Sequence, residues 1–307
     1  MTASGRLVVL SPHLDDAVLS TGGLIARAVA AGRVVEVWTA FTSGPPPDTL
    51  PRGLRPFADY ATRLREDDEA LDLLGARARR LALPERIWRT PPPTGGLARM
   101  LPAAGLRTAF RTPGDLAGFA QLENLAALLA EPLADPDAEL LAPLGIGHHV
   151  DHVEVLLAAV TAAGRADAWS RVGFYEDFYA LGDAARRRHP IARRHPATGR
   201  RPGGRRGPAS WRDAPGWAAP VEGAVLRLTP LIAAGPPITH YLPELAGLDW
   251  RCEPQPLSSP QEELKLRAVA RYRSQLAALG GRDRLEAILR RAHRVRGGEL
   301  IWRVCLR

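Results

Sequence analysis

Between residues 6 and 180, short apolar runs rich in β-branched residues alternate with helical spans, and that alternation leaves few folds open. Arg6-Leu-Val-Val-Leu10 reads as a buried strand, residues 17–31 as a helix stopped by Gly32, and residues 34–40 as a second strand. Two strands joined through one helix make a βαβ unit, with parallel strands and a right-handed crossover. The pattern recurs: a helix over 60–74 that stops at Gly75, a strand near 80–83, a helix over 114–130, a strand at 139–142, a helix over 151–163 and a strand at 172–175. Such a succession predicts an α/β fold, a mostly parallel sheet covered by helices as a three-layer sandwich.

Two stretches break the rhythm. Residues 91–113 open on Pro91-Pro-Pro-Thr-Gly-Gly-Leu97 and make a long connection suited to a pocket wall. Residues 183–219 form a basic Pro/Gly/Arg-rich insertion containing RRRHPIARRHPATGRRPGGRR. Beyond it, an apolar run at 224–232 and a Pro-rich stretch lead to C-terminal helices over 261–292, broken at Gly280-Gly281. No internal repeat and no sharp shift in composition divides the chain, so 1–307 reads as a single domain with a C-terminal helical extension.

Charge is the feature that invites a different reading. The chain carries 41 basic against 33 acidic residues, net +8, which makes nucleic acid or another anionic partner worth considering. Lys265 is the sole lysine, so the basic character is a composition bias toward arginine rather than a phosphate-binding signature. Nine of the arginines fall between 186 and 206 with no acid among them, and without that segment the chain is close to neutral. Its tryptophans are scattered without a base-stacking pattern, so nucleic acid is not the expected partner. No run approaches the ~18 apolar residues of a membrane span. The opening MTASGRLVVLSPHLDD meets two carboxylates too early for a secretory signal. Cys252 and Cys305 cannot build a disulfide framework or a cysteine-rich zinc site. The expectation is a soluble cytoplasmic protein; the sequence is silent on its oligomeric state.

The chemistry concentrates at two strand ends. Ser11-Pro-His13-Leu-Asp15-Asp16 lies where the first strand hands over to the first helix, and His13 and Asp16, three apart, can aim at one point. Imidazole and carboxylate together suit zinc or a similar divalent ion. Asp15 is then free for another role. Gly145-Ile-Gly-His148-His149-Val-Asp151-His152 occupies the corresponding position after the strand at 139–142. Together the clusters supply two histidines and an aspartate with an open position, as a catalytic zinc site requires. Helix capping by the Asp15-Asp16 pair and a solvated histidine turn are the plainer readings of each cluster alone. There is no G-x-S-x-G elbow, H-E-x-x-H or G-x-x-x-x-G-K to support another scheme.

His13-Leu-Asp15-Asp16 followed by Gly22-Gly23, with His149-Val-Asp151-His152 later, resembles the PIG-L/LmbE-like zinc de-N-acetylases. Weaker matches are Arg63-x-x-Glu66, Tyr175-Glu-Asp177-Phe178 and KLRAVARYRSQ from Lys265 to Gln275. The resemblance implies a Rossmann-like fold and removal of acyl groups from amino sugars and related amides. It further implies Zn2+, or another divalent metal, on His13, Asp16 and His152, with Asp15 as general base. His149 would polarise the carbonyl or donate a proton, Asp151 would orient His149, and Arg63 would contact substrate. Tyr175 and Asp177 are candidate substrate residues at a strand end, although capping acids on an edge strand read equally well. Arg63 could equally belong to a solvated ion-pair face. Leu14, Ala17 and Val150 stand where the family usually has Pro, Glu and Pro.

The expected partner is therefore a small N-acylated amino sugar or glycoconjugate. Two other readings stay open: amide cleavage on a thiol conjugate or peptide-like metabolite, and an anion- or nucleic-acid-binding protein that works through its basic loop.

Overall fold

Strand β1 (Arg6–Ser11) runs through the middle of the molecule, and Leu7, Val8 and Val9 on it have no exposed surface at all. The computed structural model describes residues 5–50, 55–89, 109–181, 183–194, 235–276 and 279–305. Among these, β1 joins β2 (Val34–Ser43), β3 (Arg77–Pro84), β4 (Glu139–Pro143), β5 (Val172–Tyr175), β6 (Asp249–Gln255) and β7 (Glu299–Cys305) in one sheet. The order is β3-β2-β1-β4-β5-β7-β6. The first five strands pair in parallel, while β7 runs antiparallel to both β5 and β6.

Alternation along the strands divides the core into two layers. Val8, Leu10, Trp38, Leu140 and Ala142 face α3 (Leu122–Leu128) and α4 (Val150–Arg165). Leu7, Val9, Val35, Val37 and Leu141 face the other way, onto α1 (Asp16–Ala30), α2 (Tyr60–Leu74), α5 (Ser259–Val269) and α6 (Arg282–Arg296). This is the α/β three-layer arrangement the sequence predicts. From β1 the chain builds outward in both directions, β2 on one side and β4 on the other. The crevice at the carboxyl ends of such a pair of strands is where ligands bind in open α/β sheets.

The C-terminal part is more than a helical extension. α5 and α6 cover one face of the sheet, but β6 and β7 extend the sheet itself. The two strands were not read from sequence for physical reasons. β6, Asp-Trp-Arg-Cys-Glu-Pro-Gln, is a charged edge strand with a proline, a combination that masks strand character. β7 is buried on both faces, so its Leu-Ile-Trp run lacks alternation. The helix expected over 114–130 is interrupted. Asp115 accepts from the Gly118 N–H (3.2 Å) to close a tight turn, and α3 starts only at Leu122. The break between the C-terminal helices is also wider than Gly280-Gly281, because α5 already ends at Val269. Most of the 91–113 connection, residues 195–219 of the basic insertion and the run at 224–232 lie outside the described residues. No helix among the described residues is long and apolar enough to cross a membrane.

Candidate metal centre

The turn that leaves β1 is fixed by its own polar groups. Ser11 Oγ donates to the His13 carbonyl and accepts from the Ala17 N–H (3.0 Å), while the Pro12 carbonyl accepts from the Phe41 N–H of β2 (2.9 Å). Asp16 opens α1 and accepts the His13 N–H at Oδ2 (2.9 Å). The turn that leaves β4 passes through Gly145 and Gly147, both at positive φ (75° and 98°), where a side chain would be strained. It delivers His149 as the N-cap of α4, its Nδ1 accepting from the Asp151 N–H (3.3 Å).

The two turns meet. Asp16 Oδ2 lies 3.0 Å from His13 Nδ1 and 3.1 Å from His152 Nε2. Each ring is held from behind by a second carboxylate. Asp151 Oδ2 is 3.0 Å from His13 Nε2, and Asp177 Oδ1 is 2.5 Å from His152 Nδ1. Asp177 is itself fixed by the Ile146 N–H (2.9 Å). His149 completes a buried trio, since one nitrogen from each of His13, His149 and His152 lies within 4.8 Å of the others.

Electrostatics follow from this crowding. Burial works against the charged form of Asp16, but His152 and His13 outweigh it and hold its carboxyl well below the usual range. Burial also opposes charge on His13, yet Glu85, Asp151 and Asp16 raise it well above an ordinary histidine. His152 is likewise pushed up, to about 9, by Asp16 and Asp177 against burial. Asp151, although buried, is drawn down to about 2 by its bond to His13. His149 goes the other way: burial, with His13 beside it, lowers it well below the ordinary value. Asp15 is lifted to about 6 by burial and by Asp16, with Arg63 and His13 opposing.

This donor set fits a divalent cation. His13 and His152 turn different ring nitrogens toward Asp16, and in each ring the other nitrogen meets a carboxylate. Such a carboxylate takes the N–H and leaves the facing lone pair for a metal. Imidazole and carboxylate donors suit zinc or another divalent metal, and His13, His149 and His152 form a buried group whose ring nitrogens are close enough to hold one ion. Without a cation the surrounding carboxylates keep His13 and His152 protonated, so uptake of metal displaces those protons.

The residues singled out from sequence take the following places. His13, Asp15, Asp16, His149, Asp151 and His152 come together. Asp151 turns its carboxylate onto His13, and its main-chain N–H donates to His149. Asp177 stands behind His152 rather than facing a substrate. Tyr175 is buried, 1% exposed, and its hydroxyl donates to the Leu10 carbonyl (2.7 Å). Arg63 is buried against Glu85 (2.6 Å), donates to the Phe57 carbonyl (2.9 Å) and lies over the Tyr60 ring. Glu85 thus balances its charge, while Arg63 also acts electrostatically on Asp15. Sequence reasoning missed Glu85, Arg86 and Arg89, which border the same crevice. Their place just after β3, at the same sheet edge, was a usable signal, masked by arginine abundance.

A model of the PIG-L family, GlcNAc-PI de-N-acetylase, matches residues 8–163, which include both metal turns. The 2'-N-acetylparomamine deacetylase of Streptomyces fradiae is 32% identical over 188 residues, and the match spans 58% of this chain and 58% of that protein. Among solved structures, the zinc-inhibited form of teicoplanin deacetylase Orf2 is similar at a TM-score of 0.62 and 21% identity, over 98% of each chain. The A40926 pseudoaglycone deacetylase Dbv21 is similar at a TM-score of 0.58 and 21% identity, over 98% of this chain and 97% of that one. At such identities these structures establish a common fold. The family model spans half the chain and both strand-end turns: the chain belongs to the PIG-L, GlcNAc-PI de-N-acetylase, family.

Proposed function

We propose that this protein is a metal-dependent N-deacetylase, with zinc as the metal, that removes an acetyl or other acyl group from an N-acylated amino sugar in a small glycosylated metabolite. The observation that carries the reading is the convergence of His13 and His152 on Asp16 Oδ2, each ring backed by its own carboxylate, with Asp15 and His149 beside them. His13, Asp16 and His152 would hold the metal. When bound, zinc supplies a Lewis acid and brings the pKa of a water to about 7.

The remaining steps belong to the chain. Asp15 lies within the ligand turn, between His13 and Asp16, and its carboxylate accepts the proton of the attacking water. Its affinity for that proton, raised by burial and by Asp16, suits a base that must later release it. His149 is neutral at neutral pH, and the Asp151 N–H at Nδ1 selects the tautomer with the proton on Nε2. That Nε2–H donates to the amide oxygen as negative charge develops there. Asp15 passes its proton to the amide nitrogen, the C–N bond breaks, and a carboxylic acid and a free amine leave.

The 32% identical relative suggests N-acetylated paromamine-type amino sugars as the first substrates to offer. Acetate release from these and from N-acetylglucosamine conjugates, lost on chelation and restored by zinc or cobalt, is the expected result. Full activity in metal-free protein would refute the reading. Hydrolysis confined to thiol conjugates or peptide-like amides would move the substrate class while keeping the centre.

A further inference from the structure

We propose that Arg89 is a positioning residue for the metal centre, holding His13 in its ligating orientation through Asp151. The inference rests on the metal reading of the site. Arg89 ends the short helix Arg86–Arg89 that follows β3, and its side chain is 9% exposed. Its three guanidinium nitrogens reach three different groups: Nε the Pro84 carbonyl (2.8 Å), Nη1 Glu154 Oε2 (2.6 Å) and Nη2 Asp151 Oδ1 (2.7 Å). The plane lies over the Phe41 ring, 4.5 Å from its centroid. Asp151 and Glu154 are one turn apart on α4 and fully buried. Two such carboxylates repel unless a cation bridges them, and a rigid fork does so better than a point charge.

The consequence lies at the other oxygen. Asp151 Oδ2 accepts the Arg86 N–H (3.0 Å) and faces His13 Nε2 (3.0 Å). With Arg89 on Oδ1 and Arg86 N–H on Oδ2, the carboxylate plane cannot rotate. His13 must then present Nδ1 toward Asp16 and His152. The segment after β3, which contributes no ligand, thereby fixes a ligand that emerges after β1. Partners of this kind typically change metal affinity by about 10–100-fold when removed. A mere strut between β3 and α4 would lower stability and leave the affinity of folded protein alone.

Zinc dissociation constants measured by competition with a chromophoric chelator separate the two roles. Arg89→Met is expected to weaken zinc binding by about 10–100-fold. Asp151→Asn is expected to fall in the same range, and the double variant to be far less than additive, because both changes cut one chain of contacts. Wild-type zinc affinity in folded Arg89→Met, or full additivity in the double variant, overturns the inference. Should Arg89→Met not fold, Arg89→Lys carries the test. A lysine ammonium lacks the planar fork that meets Asp151 Oδ1, Glu154 Oε2 and the Pro84 carbonyl at once, so affinity should drop several-fold, and unchanged affinity overturns the inference. Wild-type protein that takes up no zinc would instead overturn the metal reading beneath it.

Discussion

At the scale of single residues, the site separates groups that hold from groups that react. Asp15 is the group within the ligand turn that has no carboxylate or imidazole assigned to hold, and its raised proton affinity gives it a chemical task. Asp15→Asn should retain zinc at the wild-type stoichiometry while turnover falls by about 10²–10⁴-fold, the usual contribution of a general base. Metal analysis and acetate release on the same preparation check both halves. Asp177 is the opposite case. Asp177→Asn should leave the pocket open but loosen His152, weakening zinc by about 10–100-fold. Tyr175 supplies the contrast, since its buried hydroxyl donates to the Leu10 carbonyl of β1. Tyr175→Phe should cost about 1 kcal/mol in stability and leave KM unchanged. His13, Asp16 and His152 were legible because ligand chemistry and strand-end position coincide in sequence. The burial of Arg63 and the placing of Asp177 were not, since both depend on partners distant in the chain, Glu85 and His152.

At the scale of elements, α1 explains a pair of glycines and the only lysine. The helix is broken at Thr21 (φ −131°, ψ 15°), whose hydroxyl donates to the Ala17 carbonyl (2.8 Å). The amides freed by the break, Gly23 N–H and Leu24 N–H, donate to Glu299 of β7 at 3.0 and 2.7 Å. Lys265 on α5 balances that buried carboxylate at 2.7 Å, and its side chain passes so close that a Cβ at Gly22 would lie 2.9 Å from its Cγ. Residues from three distant parts of the sequence thus close one helix break behind the metal turn. Removing one member of a buried pair leaves the other charge uncompensated, so Lys265→Met should cost about 3–5 kcal/mol in denaturant unfolding. Lys265→Met with Glu299→Gln should recover part of that loss, and equal costs would mean the pair does not act as one. The Gly22-Gly23 pair was visible in sequence. Its partner at Glu299 was not, because β7 itself escaped periodicity reasoning.

At the scale of the whole molecule, net charge is a poor guide and buried imidazoles are a better one. The first turn of the basic insertion already shows why: Arg186 is buried on Glu176 (2.9 Å), so arginine here also serves as internal structure. Two histidines outside the metal cluster are built into the fold as neutral rings. His189 is 1% exposed and accepts at Nδ1 from the Ala192 N–H (3.1 Å), which a protonated ring could not do. Burial, with His148 nearby, lowers it to about 3. His293 points Nδ1 at Glu262 (2.8 Å) and Nε2 at Lys265 (3.4 Å), and burial with Lys265 lowers it to about 2. Both native values lie below the unfolded value of 6.5, so on acidification the unfolded chain takes up these protons first. The contribution of these two rings to stability therefore falls as pH drops below about 6.5, by roughly 2 kcal/mol per ring between pH 6.5 and 4.5, while Asp15 and Asp67, raised to about 6 and about 7, act in the opposite direction over the same range. His189→Gln, whose amide oxygen can still accept from Ala192, should flatten that slope by one ring's share, as read from denaturant midpoints across the same range. A variant curve running parallel to the wild type would show that His189 is protonated within the folded protein.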